Sequence, residues 1–227
     1  MIEYIINYTK KFFYFIFFGQ FDNFLKNCNG LIHVGANEAQ ERDHYKNLGV
    51  KKVIYIEADP EVFKKTIYNI RNYRGYIAYN YLVTDKIGRS YFFNVSNNSG
   101  NSSSIYDFKE HKYIYPDVFY VKKIRLFSQT LSSLVKKHKI KKSDFQVLIL
   151  DTQGSEFSIL KGSKNILNNF KYIKLEASDF QLYNNKTGSV NEISTYLKKF
   201  DFYEVKRVVI GKSSSGGKIF DILYLKN

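Results

Sequence analysis

Cysteine is almost missing from this chain of 227 residues: Cys28 stands alone. A single thiol excludes an internal disulfide framework and a cysteine-built zinc site, and it suits a reducing compartment. Long apolar runs are missing too. None reaches the roughly 20 residues that a helix needs to cross a bilayer. Proline occurs only twice, as Pro60 and Pro116, and only six of the 35 basic residues are arginine. Hydrophobic residues at 44% and charged residues at 25% are ordinary globular values, which excludes a disordered tail, a collagen-like fibre or a coiled-coil rod. A chain of this length buries enough surface to fold without a staple. The expectation is one globular, cytoplasmic domain with no transmembrane segment.

The net charge is +14, which by itself points to nucleic acid, an anionic membrane or an acidic substrate. The excess is mostly lysine, and lysine rises here alongside Asn, Ile, Tyr and Phe, all with AT-rich codons. Arginine, the planar fork that reads phosphate and guanine, is scarce. The charge therefore reads first as a solvated surface, including the basic cluster at residues 136–142, and no specific nucleic-acid partner is expected.

Residues 1–30 read as an N-terminal aromatic helical segment, set apart from a domain over 31–227. Lys10 and Lys11 precede seven apolar residues, 12–18, closed by Gly19. That run is at the short end for a signal peptide, and no small-residue cleavage site follows. Residues 10–21 could touch a membrane interface peripherally; packing on the domain, or on a second subunit in a homo-oligomer, is the favoured reading.

From Leu31 onward, short β-rich runs alternate with helical ones. Strands are expected at 31–35, 53–57, 76–83, 121–127, 147–150 and 172–175, with a hairpin extension of the third strand at 91–95. Helices are expected at 38–48, 60–72, 131–138, 156–167 and 190–200, the second opened by Pro60 at a favourable first-turn position. Two β-type runs, 203–210 and 219–225, close the chain across a Ser/Gly-rich loop. Strand–helix alternation means βαβ units and a parallel sheet covered on both faces; a final pair without a helix between must be antiparallel. The fold class is α/β: a Rossmann-like, doubly wound, mostly parallel seven-stranded sheet with a C-terminal antiparallel hairpin.

In such a sheet the ligand lies across the carboxyl ends of the strands. Strand one ends in His33-Val34-Gly35-Ala36-Asn37, where glycine lets the backbone turn beneath a ligand, although the Gly-x-Gly-x-x-Gly spacing of a dinucleotide site is absent. Strand two ends in Glu57-Ala58-Asp59-Pro60. Glu57 follows Gly35 by 22 residues, close to the roughly 20-residue offset of the acid that accepts from ribose hydroxyls, whereas Asp59, just before Pro60, fits better as a helix N-terminal acid stabilised by the helix dipole. Asp85 ends the third strand, where an adenine contact would sit, or starts a turn. Asp151 ends the fourth strand, with Gln153 and a glycine opening the next helix; Glu176 ends the fifth. Asp151, Glu156 and Glu176 could converge, but their spacing is not diagnostic of Mg²⁺, and no metal is expected. His33 reads as a core residue, His44 and His138 as surface ones.

These blocks, taken in order from Leu31 to about Tyr183, resemble the FkbM-type family of S-adenosylmethionine-dependent methyltransferases. The resemblance rests on His33-Val34-Gly35-Ala36-Asn37 with Glu41, Ile56 to Pro60, and Val83-Thr84-Asp85 with Gly88. It continues through Ser96-Asn97-Asn98 to Ser102-Ser103-Ser104, His111 and Pro116, Leu150 to Glu156, Leu160-Lys161-Gly162, Leu175-Glu176-Ala177 and Leu182-Tyr183. It implies S-adenosylmethionine as cofactor and O-methylation of a hydroxyl on a sugar, glycan or related metabolite. Gly35, Ala36, Asn37, Glu41, Glu57, Ala58, Asp85, Asp151 and Gln153 are the implied cofactor residues. Asn98, Ser102, Ser103 and Glu176 are implied for the acceptor, with His111 or Asp151 taking the hydroxyl proton.

Two positions depart from the pattern. Ala39 stands where the family commonly has a second glycine, which is tolerable if the backbone there is helical. Thr130-Leu131-Ser132 replaces the usual Leu-Asp pair. Base-amine methylation is disfavoured because the fourth strand is followed by Asp-Thr-Gln-Gly rather than Asn/Asp-Pro-Pro-aromatic, and cytosine-carbon methylation because no Pro-Cys pair exists. An RNA 2′-O-methyltransferase and a catalytically degenerate fold that only binds remain as alternatives, and a nicotinamide oxidoreductase has the wrong glycine spacing.

Overall fold

The computed structural model describes residues 22–184 and 188–227. The aromatic run at 10–21 lies outside the described residues. Among the described residues, ten strands form two sheets. The larger joins β3 (Tyr76–Asn80), β2 (Lys52–Glu57), β1 (Gly30–Val34), β7 (Val147–Leu150), β8 (Tyr172–Ser178), β10 (Lys218–Lys226) and β9 (Phe202–Lys212), in that spatial order. The first five are parallel, and β10 runs antiparallel to both β8 and β9. This is the doubly wound seven-stranded sheet with a terminal antiparallel hairpin that the alternation of elements implies.

The strand sequences show why both faces are covered. Successive residues of a strand point to opposite faces. Ile32, Ile54, Ile56, Leu148 and Leu150 enter one core with Leu134, Ile159 and Leu160. Their neighbours Leu31, Val53, Tyr55, Val147 and Ile149 enter the other with Leu25 and Tyr45. A strand apolar at every position is the pattern of a sheet buried on both sides.

Helices α1 (Arg42–Asn47), α2 (Pro60–Ile70), α3 (His111–Ile114), α4 (Leu131–Lys137), α5 (Glu156–Gly162) and α6 (Val190–Lys198) lie between the strands. Asp59 caps α2, its Oδ1 accepting from the Glu61 amide at 2.8 Å, and Ser189 with Glu192 forms a capping box on α6. Ahead of β1, a 3-10 turn at Asp22–Asn27 packs on the domain: Leu25 is fully buried, and Asp22 meets Lys174 at 3.1 Å.

Four expectations are corrected. The helix foreseen at 38–48 starts only at Arg42, because Asn37 (φ 45°) and Ala39 (φ 55°) are left-handed. Ala39 is thus not in helical backbone, and its conformation carries a penalty of about 1–2 kcal/mol for a residue with a Cβ. The strand foreseen at 76–83 breaks after Asn80; β4 (Leu82–Val83) leaves the main sheet for a second one, ordered β4-β6-β5. There β5 (Ser90–Ser96) pairs antiparallel with β6 (Tyr120–Gln129), not with the third strand. Finally, α5 stops at Gly162 with Ser163 as its C-cap, and the rest of the longer helix foreseen is replaced by a turn and a short 3-10 segment at Leu167–Asn169. Among the described residues, no helix is long and apolar enough to cross a membrane.

Candidate cofactor and active site

A cavity of about 270 Å³ opens over the carboxyl ends of β1, β2 and β7. Its floor depends on Gly35, which adopts φ +80°; a Cβ there would lie 1.8 Å from the Asp151 carbonyl oxygen. The β1 and β7 ends thus meet backbone to backbone, and Asp151 donates its amide to the Val34 oxygen at 3.0 Å. Only glycine supports that approach at a positive φ.

Glu57 projects from the end of β2 and is buried. One carboxylate oxygen accepts the Asn37 amide at 2.8 Å and the other accepts the Asp59 amide at 2.8 Å. Burial nonetheless pushes the Glu57 carboxyl up to about 7. With the Ala58 amide as a further donor toward it, the carboxylate keeps acceptor capacity for a donor from the cavity such as a ribose hydroxyl. The left-handed Asn37 delivers the amide, and its side chain ties the first loop to the Asn/Ser loop by donating to the Ser99 oxygen (3.1 Å) and Asn101 Oδ1 (3.2 Å).

At the other side of the cavity, Asp151 faces the opening while protein encloses it elsewhere, and that enclosure raises its carboxyl above the usual carboxylate range. Gln153, left-handed at φ 56°, donates to Asp151 Oδ1 at 2.7 Å and accepts from the Tyr183 hydroxyl at 2.5 Å. The loop between them is shaped by Glu156, which accepts the amides of Thr152 (2.8 Å) and Gly154 (3.0 Å) and the Thr152 hydroxyl (3.0 Å). Burial lifts Glu156 to about 7.

The cavity brings together Gly35, Asn37, Glu41, Glu57, Ala58, Ser103, Asp151 and Gln153 of the residues singled out from the sequence. It does not bring in the others. Ala36 is buried in the second core. Asp85 turns away: its carboxylate accepts the Ser158 hydroxyl at 2.9 Å and its amide donates back to that oxygen at 3.0 Å, so it anchors a turn on α5. Asn98 and Ser102 bond to each other at 3.0 Å and shape their own loop. Glu176 lines a smaller neighbouring cavity of about 30 Å³ with Glu156 and Tyr183; burial, then the charges of Asp151 and Glu156, raise its carboxyl well above the usual range.

His111 is also away from the main cavity. It is buried, its ring stacks on Phe108 at 4.0 Å, and its Nε2 lies 3.3 Å from the Ser102 hydroxyl. Burial lowers it to about 4, so the ring is neutral at pH 7. In a position behind Ser102 and Tyr183 it supports the loop rather than facing the opening.

Sequence reasoning missed the apolar wall. Tyr81, Leu82, Val83, Phe93 and Ile105 line the cavity beside Glu57, a surface suited to a flat heteroaromatic ring. Ile105, one apolar residue directly after a run of polar ones, was the available signal. Leu82 and Val83 were hidden inside a longer apolar run.

Comparison of the whole fold finds M. capricolum TrmK, in complex with the natural cofactor product S-adenosyl-homocysteine, at a TM-score of 0.52 and 11% identity over 90% of this chain and 67% of that one. Sp1610 of Streptococcus pneumoniae aligns at 0.50 and 11%, over 88% of this chain and 64% of its own. An uncharacterized protein of Listeria monocytogenes serotype 4b aligns at 0.50 and 8%, over 91% and 63%. This chain thus spans about two thirds of the length of those structures, and at such identities the likeness is one of fold: that of Rossmann-like methyltransferases. A comparison with curated proteins finds no significant match. The sequence itself is more informative, because the model of the methyltransferase FkbM domain matches residues 33–203, from the end of β1 just before Gly35 to the start of β9, and the chain therefore belongs to the FkbM methyltransferase family.

Proposed function

We propose that this methyltransferase is an O-methyltransferase acting on a hydroxyl of a sugar, glycan or related small metabolite. Its cofactor is S-adenosylmethionine, as in the family. The residues fit that molecule: Glu57 offers its remaining acceptor capacity to ribose hydroxyls, Leu82, Val83 and Phe93 offer an apolar wall to a purine, and Glu41 offers a carboxylate to an amino group. Ala58 and Gln153 complete that lining, while Ala36 and Asp85 act from outside it. S-adenosylmethionine supplies an electrophilic methyl on a sulfonium.

The observation that carries the reading is Asp151, a carboxylate at the rim of the same cavity that holds Glu57. A hydroxyl is a poor nucleophile until its proton leaves, and a positioned carboxylate can take that proton as the new bond forms. Asp151 would take that proton as the oxygen–methyl bond forms and the sulfur–methyl bond breaks in line; holding the two partners in line is the other part of the rate enhancement. Gln153 keeps one carboxylate oxygen engaged, leaving the second toward the opening. Amides and hydroxyls of Asn101, Ser103 and Gln153 on the lining, with Glu176 next door, suit a hydroxyl-rich acceptor.

Methyl transfer from S-adenosylmethionine labelled in the methyl group, to monosaccharides, nucleotide sugars and RNA in parallel, tests this reading. Ether-linked label on a sugar, lowered at least about 100-fold in Asp151→Asn with a smaller change in S-adenosylhomocysteine affinity, supports it. Label on a base nitrogen or on RNA ribose overturns the acceptor assignment, and full transfer by Asp151→Asn removes the base.

A further inference from the structure

The strand β5 has two unlike faces. Phe93 points inward and lines the cofactor cavity, while its neighbour Phe92 is 66% exposed. On β6, Lys123, Arg125 and Phe127 alternate with the less exposed Ile124, Leu126 and Ser128 and share the outward face, which Val121 continues beyond the exposed Lys122; Phe127 is 61% exposed. The antiparallel register sets Phe92 opposite Arg125 and Ser90 opposite Phe127. The two rings are therefore diagonal neighbours, about 7–8 Å apart at their backbones. Arg125 is pinned between them, its Nε donating to the Ser90 hydroxyl at 2.7 Å and its guanidinium lying 5.6 Å from the centre of the Phe127 ring. Among the described residues Arg125 has no carboxylate partner, whereas Lys123 lies 3.9 Å from Asp107 at the edge of the face.

We propose that this outer face of β5 and β6 docks a single strand of nucleic acid, with bases stacked on Phe92 and Phe127 and phosphates drawn to Arg125 and Lys123. The chemistry selects this occupant. Two surface rings on neighbouring strands with a cation between them match the alternation of flat bases and phosphates along a single strand, and base–aromatic stacking is tolerant of sequence. The net charge of +14 adds attraction for a polyanion. A bilayer fits less well, because Arg125 and Lys123 sit between the apolar residues, not around them, and burying the rings would carry both cations into the acyl region. A second copy fits less well too: a two-fold axis through the middle of the face would bring Lys123 and Arg125 of one copy onto those of the other. The proposal goes beyond the transfer reaction and holds whichever hydroxyl is methylated.

The test is fluorescence anisotropy of the full chain with a fluorescein-labelled oligouridylate, at low and at physiological salt. Heparin, a duplex of the same length and phosphatidylserine vesicles serve as competing anions. Binding that weakens with salt is expected, with the Phe92→Ala/Phe127→Ala double variant losing at least about tenfold for the single strand. Its affinity for heparin should be unchanged. Phe127→Ala alone should move the same way by less, and both variants should keep the melting temperature and S-adenosylhomocysteine affinity of the wild type. No binding of the oligonucleotide by the wild type overturns the proposal. So does an equal loss for heparin, an undiminished double variant, or ring-dependent binding of vesicles alone. Failure of the wild type to bind S-adenosylhomocysteine would count against the cofactor assignment and leave this face untouched.

Discussion

Glu57 accepts the backbone amide of Asn37 at 2.8 Å, so the residue placed to grip a ribose also holds the first loop of the cavity in its left-handed turn. Its carboxyl sits at about 7 because it is buried. The ionised form is the better acceptor for ribose hydroxyls. S-adenosylhomocysteine affinity should therefore be constant above pH 7 and fall by up to about tenfold for each unit below it. Glu57→Ala should weaken binding by about 1–3 kcal/mol and flatten that pH dependence. Calorimetric titration of both proteins across the range checks this; an unchanged slope in the variant would assign the titration elsewhere.

Gly35 gives a sharper test of the floor. A Cβ at that position would overlap the Asp151 carbonyl oxygen at 1.8 Å, on a backbone at φ +80°. Gly35→Ala should cost at least about 3 kcal/mol, since relief requires parting β1 from β7. Its denaturant midpoint should fall sharply, and S-adenosylhomocysteine should restore little, because the floor of its own site is displaced. Wild-type stability in this variant would mean that the two strand ends do not meet as described.

The sheet was legible because period and apolarity agree: β1, β2 and β7 are apolar on both faces, and nothing but a doubly covered sheet accommodates that. Glu57 and Asp151 were legible because each ends such a strand. The path around the cavity was not. Tyr79 to Val83 reads as one continuous strand, yet Tyr81 donates its amide to the Glu57 backbone carbonyl at 3.0 Å and Leu82 then departs to pair with Ser128, a choice made by tertiary contacts that no local preference records. Asp85 takes the turn role, one of the two open to it from the sequence, on a partner, Ser158, that is 73 residues away and could not be read locally. His111 matched a block of the resemblance, but the sequence could not show that Phe108 would cover its ring.

That covered ring has a measurable consequence in acid. His111 falls to about 4 in the folded chain, against about 6.5 in an unfolded one. Above pH 6.5 both states are neutral and its contribution to stability is fully present. As pH falls toward 4 the unfolded chain takes up the proton first, and the contribution is lost. His111→Phe keeps a ring to stack on Phe108 and removes the titration. The variant should lose about 1–2 kcal/mol less than wild type between pH 7 and pH 5, read from denaturant midpoints, with S-adenosylhomocysteine affinity unchanged. A parallel acid response in the two proteins would place the loss at another group, His33 foremost, which burial also lowers to about 4.

Lys174 is the cation on which the far side of the sheet depends. It is buried on β8, 3.1 Å from Asp22 ahead of β1 and 3.7 Å from Asp221 on β10, and Asp22 also meets His44 at 3.0 Å. It thus links the turn preceding the first strand to the closing hairpin. Those partners outweigh its desolvation and keep the ammonium charged. Lys174→Met would fill the space but leave two enclosed carboxylates facing each other, a change that costs about 3–5 kcal/mol where one partner of a buried pair is removed. The triple change Lys174→Met, Asp22→Asn, Asp221→Asn removes the stranded charges as well and should recover most of that loss. Chemical denaturation of the two variants at neutral pH decides the matter. A single variant as stable as wild type would show that the ion pairs are dispensable. A triple variant no better than the single one would show that Lys174 acts through packing of its stem instead of its charge.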